Sequence, residues 1–190
     1  MYLLRRVWGL LTAPGREWET IAAEPDEAAG ICQSYVGVLA LIPAVAPLVG
    51  LAVLAGRFLG AAAITTALTA AMVTWVLAVG GTVASATIIE KLSPVFDGEG
   101  GLTQAVKLVA YAATPFWLTT ASYAVDPKSV IVAAGAAWGA TLLYFGAAPV
   151  MKVSERRAGP FAAMAVVAIV AANAVLRLVF TAFRIPYFGY

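Results

Sequence analysis

The stretch "FLGAAAITTALTAAMVTWVLAVGGTVASATII", from Phe58 to Ile89, contains no charged residue. A helix needs about 20 apolar residues to cross the hydrocarbon core of a bilayer, so this stretch is long enough for one crossing. The whole chain has the same character, since 62% of its residues are hydrophobic and 12% are charged, with a mean hydropathy of +0.90. Soluble domains are about 45–50% apolar and about 25% charged. The sequence therefore predicts an integral membrane protein.

The apolar segments on both sides of this stretch predict an all-α, polytopic membrane protein with five transmembrane helices. The predicted spans are approximately 31–56, 64–90, 103–125, 127–151 and 160–183, so that residues 31–190 form the transmembrane domain. Because the uncharged stretch is longer than one crossing requires, a short re-entrant or interfacial piece is predicted before the second span. Thr103 is the predicted N-cap of the third span, and Asp126 with Pro127 the predicted start of the fourth.

Residues 1–30 are too rich in charge to cross a membrane. Their apolar positions recur at the spacing of an amphipathic helix lying in the cytoplasmic interface. One apolar face contains Leu3, Leu4, Val7, Trp8, Leu10 and Leu11. After Pro14, Trp18 and Ile21 are the predicted anchors of a second short helix in the leaflet. The alternative, a signal peptide that begins with Arg5 and Arg6, requires a longer apolar run than the one that follows them.

The basic residues between the spans predict the orientation, because short cytoplasmic connections are enriched in Lys and Arg. One side of the membrane would carry Arg5, Arg6, Arg16, Lys91, Lys107, Lys152, Arg156 and Arg157, and the other Arg57, Lys128 and Arg184. We therefore expect a cytoplasmic N-terminus, an extracytoplasmic C-terminus and a location in the cell (inner) membrane.

Several classes of function are excluded by the residues that the chain lacks. It has no histidine and a single cysteine, Cys32, which excludes an internal disulfide, a Cys/His metal site and nucleophilic catalysis assisted by histidine. The few carboxylates show no recurring spacing across the spans. We expect no enzymatic activity and no cofactor. The net charge of +2 and the scattered basic residues also argue against nucleic-acid binding.

Few polar residues lie within the predicted spans. Asn173, Arg177 and Thr181 recur every four residues and form one stripe on the fifth span. An ionisable residue in a span suggests function, but Arg177 is close enough to the outer end to snorkel to the interface. Its predicted partner is Asp126, with the carbonyls of a neighbouring span as the alternative.

Small residues spaced four apart suggest contact faces between helices. Gly135 and Gly139 form one such face on the fourth span, and Gly81 with Ser85 another on the second. The spacing favours packing within the chain, with a homo-oligomer through Gly135 and Gly139 as the alternative.

The chain concentrates acids and glycines just before the third span, in "VFDGEGGLTQAVKLVAYAATPFWL" from Val95 to Leu118. Pro115 lacks an N–H group and crowds the carbonyl of Tyr111, four residues earlier. One hypothesis is a cytoplasm-facing pocket or docking surface formed by this carbonyl, the Tyr111 hydroxyl and the loop, with Glu90 or Asp97 as the anionic contact. In the alternative, the glycines make a tight turn, Pro115 kinks the helix and Tyr111 fills space.

Two sets of these residues resemble the Yip family, the Ypt- or Rab-interacting membrane proteins. The opening resembles the family in Leu10, Leu11, Pro14, Trp18 and Ile21, and the third span in Ala110, Tyr111 and Pro115, which follow a glycine-rich loop. The resemblance implies a five-helix membrane protein with a cytoplasmic N-terminus. Eukaryotic relatives bind small GTPases through a long N-terminal region, which here is only about thirty residues, so that role is not transferred. The compact, alanine-rich chain resembles bacterial members.

Two functions remain open. The first is a non-enzymatic membrane organiser or adaptor that binds membrane lipids and a protein partner at its cytoplasmic face. The second is a small-solute or ion transporter or channel, which would use the proline-containing first span, Asn173 with Arg177, and the threonines of the second span. These are Thr66, Thr69, Thr74, Thr82 and Thr87. The two functions differ in whether the threonines face the bundle interior beside Asn173 or bond to their own helix.

Overall fold

A computed structural model describes residues 2–25, 27–55, 61–126 and 130–187, and this part of the chain is helical without strands. Its helices are α1 (Tyr2–Thr12), α2 (Pro14–Ala23), α3 (Ala28–Ile31), α4 (Gly37–Leu39), α5 (Leu41–Ala55), α6 (Ala61–Leu92), α7 (Leu102–Ala112), α8 (Thr114–Thr119), α9 (Ile131–Met151) and α10 (Glu155–Ala182). Four described segments are long and apolar enough to cross a membrane: Ala28–Ala52, Ala63–Phe96, Ile131–Met151 and Glu155–Ala182. The protein is thus an all-helical, multi-pass membrane protein.

The segment α3–α5 is nearly continuous but irregular. One π-helical turn, Cys32–Val36, joins α3 to α4, and Ala40 separates α4 from α5. The irregularity leaves the carbonyl of Gly37 open to the indole of Trp75 on α6, whose Nε1 donates to it at 2.8 Å. A side chain thereby satisfies a backbone group that lipid could not.

The third predicted span is not a single helix. α7 ends at Ala112, α8 begins at Thr114 with Pro115 in its first turn, and a 3₁₀ segment follows over Thr120–Ala124. Proline suits a first helical turn but cannot continue the hydrogen bonding of the helix before it, which accounts for the break. None of these pieces is long enough to cross a bilayer by itself.

Other boundaries also differ from the predicted ones. α7 begins at Leu102 with Gly101 before it, so Thr103 is inside the helix rather than at its N-cap. α6 starts at Ala61, where a short piece before the second span was expected; residues 56–60 lie outside the described residues. α9 begins at Ile131, and Pro127 also lies outside them. α10 begins at Glu155, so part of the polar connection is helical.

Four helices, α6, α7, α9 and α10, form a ring. α6 packs against α7 and α10, while α9 packs against α7, α8 and α10, so that α6 and α9 lie across from each other. Large apolar side chains on the outside of the ring, such as Leu68, Met72, Val167 and Leu178, are exposed, as lipid-facing residues are.

The hairpin α1–α2 covers one end of this ring. α2 packs on α9, and the loop after α6 meets the backbone of Met151 at the same end. We call this the capped end; it comprises α1–α2, residues 93–101, residues 151–154 and the residues of the ring and of α3–α5 that pack beneath them. The eight basic residues predicted to be cytoplasmic belong to these segments or to the adjoining helix turns.

Candidate functional site

The apolar face of α1–α2 is buried against the ring. Leu10, Trp18 and Ile21 are all 0% exposed. Gly146 of α9 makes room for the indole, since a Cβ there would lie 2.9 Å from Cε2 of Trp18. The Trp18 ring also meets the Tyr111 ring edge-on, with 6.3 Å between centroids. Trp18 and Ile21 therefore contact protein, where the sequence predicted a seat in lipid. Helical periodicity identifies an apolar face but not what covers it.

Arg6 is the most buried charged side chain described, at 3% exposure. Its guanidinium forms ion pairs with Glu17 and Glu24 of α2 and the segment after it, and donates a hydrogen bond to the Tyr2 hydroxyl at 2.8 Å. It also lies over the rings of Tyr2 and Tyr111, at 5.0 and 5.5 Å from their centroids. Cation–π contact of this kind is favourable when the cation is desolvated.

These contacts keep Arg6 charged. Burial by itself lowers the pKa of the Arg6 guanidinium, but its hydrogen bonds to Tyr2 and Glu24 outweigh burial and raise that pKa above its ordinary value. The positive charge persists at every physiological pH. Removing one partner from a buried ion pair is strongly destabilising, because the other charge is left uncompensated.

A second buried cation ties α2 to α7. Lys107 is 4% exposed, and its ammonium donates to the carbonyl of Ile21 at 2.9 Å and to that of Glu24. Both carbonyls belong to the C-terminal end of α2. The last carbonyl groups of a helix have no partners within the helix, and this end of a helix favours a positive charge.

Sequence reasoning missed both cations, because it counted Arg6 and Lys107 only as cytoplasmic charges. One available signal was Gly9 in the middle of an amphipathic helix. A Cβ at Gly9 would lie 2.2 Å from the Glu17 carboxylate, so this glycine allows α1 and α2 to approach closely. The second signal was the pair of acids Glu17 and Glu24, one within α2 and one directly after its last residue.

Tyr111 and Pro115 belong to the interior rather than to a cytoplasmic pocket. Tyr111 is 1% exposed and packs on Tyr35 with 4.5 Å between ring centroids. The Tyr111 carbonyl, which the break at Pro115 was expected to expose, accepts a hydrogen bond from the Thr114 hydroxyl at 2.7 Å. The Tyr35 hydroxyl, 2.7 Å from Thr114 Oγ1, in turn donates to it. A threonine beside the proline satisfies the carbonyl locally.

The glycine-rich loop docks on the end of α9. The N–H groups of Glu99 and Gly100 both donate to the Met151 carbonyl, at 3.1 and 3.2 Å. A Cβ at Gly98 would lie 2.3 Å from Ser93 Oγ, and one at Gly100 would lie 2.8 Å from the Met151 side chain. These glycines are required by the close approach of two loops.

The four residues predicted to form one site are not brought together. Asp97 is 68% exposed and pairs with Arg157 at 3.0 Å on the surface, and Glu90 is half-buried near the end of α6. Tyr111 lies inside the protein, about 14 Å along α7 from its first residue. The structure therefore does not bring the two acids together with Tyr111 and Pro115 in one pocket.

The predicted polar stripe of α10 is divided. Asn173 and Arg177 line a cavity of about 450 Å³ within the ring, whereas Thr181 is exposed and bonds to the Tyr187 hydroxyl at 2.9 Å. Thr74 and Thr82 of α6 line the same cavity, and their hydroxyls donate to the carbonyls of Ala70 and Ala78 on their own helix. These threonines thus face Asn173 and also bond to their own helix.

The glycine faces pack within the chain. A Cβ at Gly135 would lie 2.7 Å from the Pro115 carbonyl oxygen, and one at Gly139 would lie 2.8 Å from that of Ala112. The broken segment α7–α8 thus occupies the face considered for a homo-oligomer. Gly81 likewise packs against Asn173, since a Cβ at Gly81 would lie 2.4 Å from Asn173 Oδ1.

A family comparison decides the identity of this helical bundle. The sequence matches the Yip1 domain over residues 8–176, which is most of the chain. The chain belongs to the Yip1 domain family. Searches of curated proteins and of solved structures return no match. The match begins within α1 and ends within α10, so the capping hairpin and the ring are both parts of the Yip1 domain.

Proposed function

We propose that this Yip1 domain protein is a non-enzymatic membrane adaptor, in which α1 engages the cytoplasmic leaflet and the polar loops of the capped end bind a partner. The proposal includes a cytoplasmic N-terminus and five membrane passes, with α7, α8 and the following 3₁₀ segment as the third. In support of this orientation, the capped end gathers the basic residues that short cytoplasmic connections favour.

One observation carries the proposal: the hairpin is fixed to the ring on one face and leaves a second apolar face uncovered. Leu4, Trp8 and Leu11, at helical spacing on α1, are 75%, 69% and 36% exposed. Arg5 is exposed beside them. Apolar residues, an exposed tryptophan and an arginine form the surface typical of helices that lie at an anionic membrane interface.

Surfaces for a protein partner would lie on the same end. Asp97 and Arg157 pair on the surface without being buried, as do Glu99 and Lys152 at 3.4 Å. Exposed pairs of this kind contribute little to stability, so their charges can be rearranged at low cost by a bound partner. We retain Asp97 and Glu90 as candidate contacts with such a partner; Tyr111 and Pro115 support the fold.

Spin labels test the membrane contact in the full-length protein. Cys32 is first replaced by Ser, and a label is attached at Leu4→Cys or, as a control, at Thr20→Cys on the exposed surface of α2. In anionic liposomes, we expect the label at position 4 to collide with oxygen and to be shielded from a water-soluble relaxer. The control should show the opposite pattern. Equal exposure of both labels to water would refute the leaflet contact.

Purification tests the partner surface separately. We expect proteins that co-purify in mild detergent to be lost on Asp97→Asn or Glu90→Gln without a change in melting temperature. Retention of every co-purifying protein by both variants would remove these acids from the proposal.

A further inference from the structure

The cavity within the ring is partly open, since its lining includes Val170, which is 62% exposed, and it is far larger than the voids that protein interiors normally contain. Its volume of about 450 Å³ falls within the range of small-molecule sites, which is about 300–1,000 Å³. It is lined along α6 from Thr74 to Ser85, a length of about 16 Å at 1.5 Å per residue. On α10 it extends over the same length, from Val166 to Arg177. The cavity is therefore elongated along the helices.

The two sides of the cavity differ chemically. Ala112, Phe116, Ala140 and Leu143 of α7, α8 and α9 give one side a largely apolar surface. The opposite side, from α6 and α10, carries Ser85, Asn173 and Arg177. The Ser85 hydroxyl and the Arg177 guanidinium can donate hydrogen bonds, and the Asn173 amide nitrogen donates one to the Ile169 carbonyl at 2.8 Å and carries a second N–H.

Ser85 adds an unpaired, buried hydroxyl to the polar side of the cavity. It is 0% exposed, and its Oγ has no hydrogen-bond partner in the described chain. Thr74 and Thr82 on the same helix bond to the carbonyls four residues earlier, whereas Ser85 does not. A buried hydroxyl without a hydrogen-bond partner is destabilising, so its presence in a cavity wall calls for a partner.

We infer that the cavity binds a single-chain amphiphile, such as a fatty acid or the acyl chain of a lysolipid. Its hydrocarbon chain would pack on the apolar side, and its acceptor oxygens would face the donors of α6 and α10. The elongated shape suits one hydrocarbon chain. The acceptor oxygens of such a molecule match the donors on the polar side of the cavity, and its hydrocarbon chain matches the apolar side. This inference does not depend on the leaflet contact of α1.

Binding can be measured with the full-length protein in phosphatidylcholine nanodiscs. We expect saturable binding of the fluorescent fatty acid dansylundecanoic acid and its displacement by unlabelled palmitate or by lysophosphatidylcholine. Displacement by palmitate alone would identify a free carboxylate as the preferred group. Displacement by the lysolipid alone would identify an esterified chain as the preferred ligand. Absence of saturable binding of the probe by the wild-type protein would overturn the inference.

Two substitutions on α9 locate the site. Ala140 lines the cavity, and Ala140→Phe should weaken probe binding at least tenfold by filling the space. Ala137→Phe places the same side chain on the exposed side of the same helix and should leave binding unchanged. Equal binding by the two variants would place the probe elsewhere and refute the assignment.

Ser85→Ala provides a second test that does not rely on a bulky substitution. Since the hydroxyl has no partner among the described residues, its removal should leave the melting temperature unchanged or raise it. The same variant should bind the probe roughly 2- to 10-fold more weakly, as expected for one hydrogen bond. Unchanged affinity would show that Ser85 does not contact the ligand and would overturn the proposed role of the polar side.

Discussion

The capped end and the central cavity are built from the same helices but packed in opposite ways. At the capped end, Trp18, Tyr35 and Tyr111 fill the space, and two buried cations connect separate elements. Around the cavity, alanine and glycine positions leave space unfilled. In lipid, apolar surface gives little driving force for helices to associate, so close packing and polar contacts must hold them. The comparison predicts that substitutions at the capped end destabilise the protein more than substitutions around the cavity.

The largest expected effect is that of Trp18→Ala. Removing a fully buried indole should lower the free energy of unfolding by about 3 to 5 kcal/mol, through lost burial and a new cavity. Trp8→Ala is the matched control, because Trp8 is 69% exposed on the same hairpin. Thermal unfolding in detergent and limited proteolysis of the hairpin report both. Equal effects of the two substitutions would mean that the hairpin is held by its lipid-facing side.

Arg6→Ala should have the next largest effect. It leaves Glu17 and Glu24 without their buried partner, a change that costs about 3 to 5 kcal/mol for fully buried pairs. These carboxylates are 18% and 28% exposed and can regain water, so the lower part of that range is expected. Arg5→Ala removes an exposed charge next to it and should change the melting temperature little. Equal protease sensitivity of the hairpin in the Arg6→Ala and Arg5→Ala variants would show that the ion pairs of Arg6 do not hold the hairpin in place.

A pair of alanines on α9 compares the two regions directly. Ala147 is 0% exposed at the capped end, and Ala140 lines the cavity two helical turns away. Ala147→Leu should destabilise by about 1 to 3 kcal/mol through overpacking. Ala140→Leu adds the same atoms to open space and should be neutral or stabilising. Similar melting temperatures for both variants would show that the two regions do not differ in packing.

The smallest expected effect is that of Tyr35→Phe. The substitution removes the hydrogen bond to Thr114 while keeping the ring contact with Tyr111, and should cost about 0.5 to 1.5 kcal/mol. Tyr144 is 48% exposed, so Tyr144→Phe is a matched control without a comparable loss. A loss well above this range, measured by thermal unfolding, would show that the hydroxyl also holds the break between α7 and α8 in place.

Composition and apolar length were sufficient to predict a helical, multi-pass membrane protein, because the requirement for uncharged segments in lipid is strong. The short motifs around Trp18 and Tyr111 were sufficient for the Yip family, which the match to the Yip1 domain confirms. The break after Ala112 was predicted only as a kink at Pro115. Whether a proline bends a helix or ends it depends on neighbours such as Thr114, which the local sequence does not reveal.

The environment of individual side chains was harder to predict. Trp18 has the same amphipathic pattern whether lipid or protein covers it, and the groove beside Gly146 exists only once α9 is in place. Arg6 was counted as a solvated charge because its partners lie on a different helix. Ser85 was assigned to a contact face by its spacing from Gly81, whereas its unpaired hydroxyl is visible only in three dimensions.

The broken segment α7–α8 also has a consequence for biosynthesis. It is made of short helices, carries Lys107, and packs against α9, which leaves the ribosome after it. A segment of this kind gains little from entering lipid alone, because its helices are short and its charge is costly there. In the proposed arrangement, in which this segment is a membrane pass, its stable insertion would wait for α9, and the bundle would be completed by cooperative assembly.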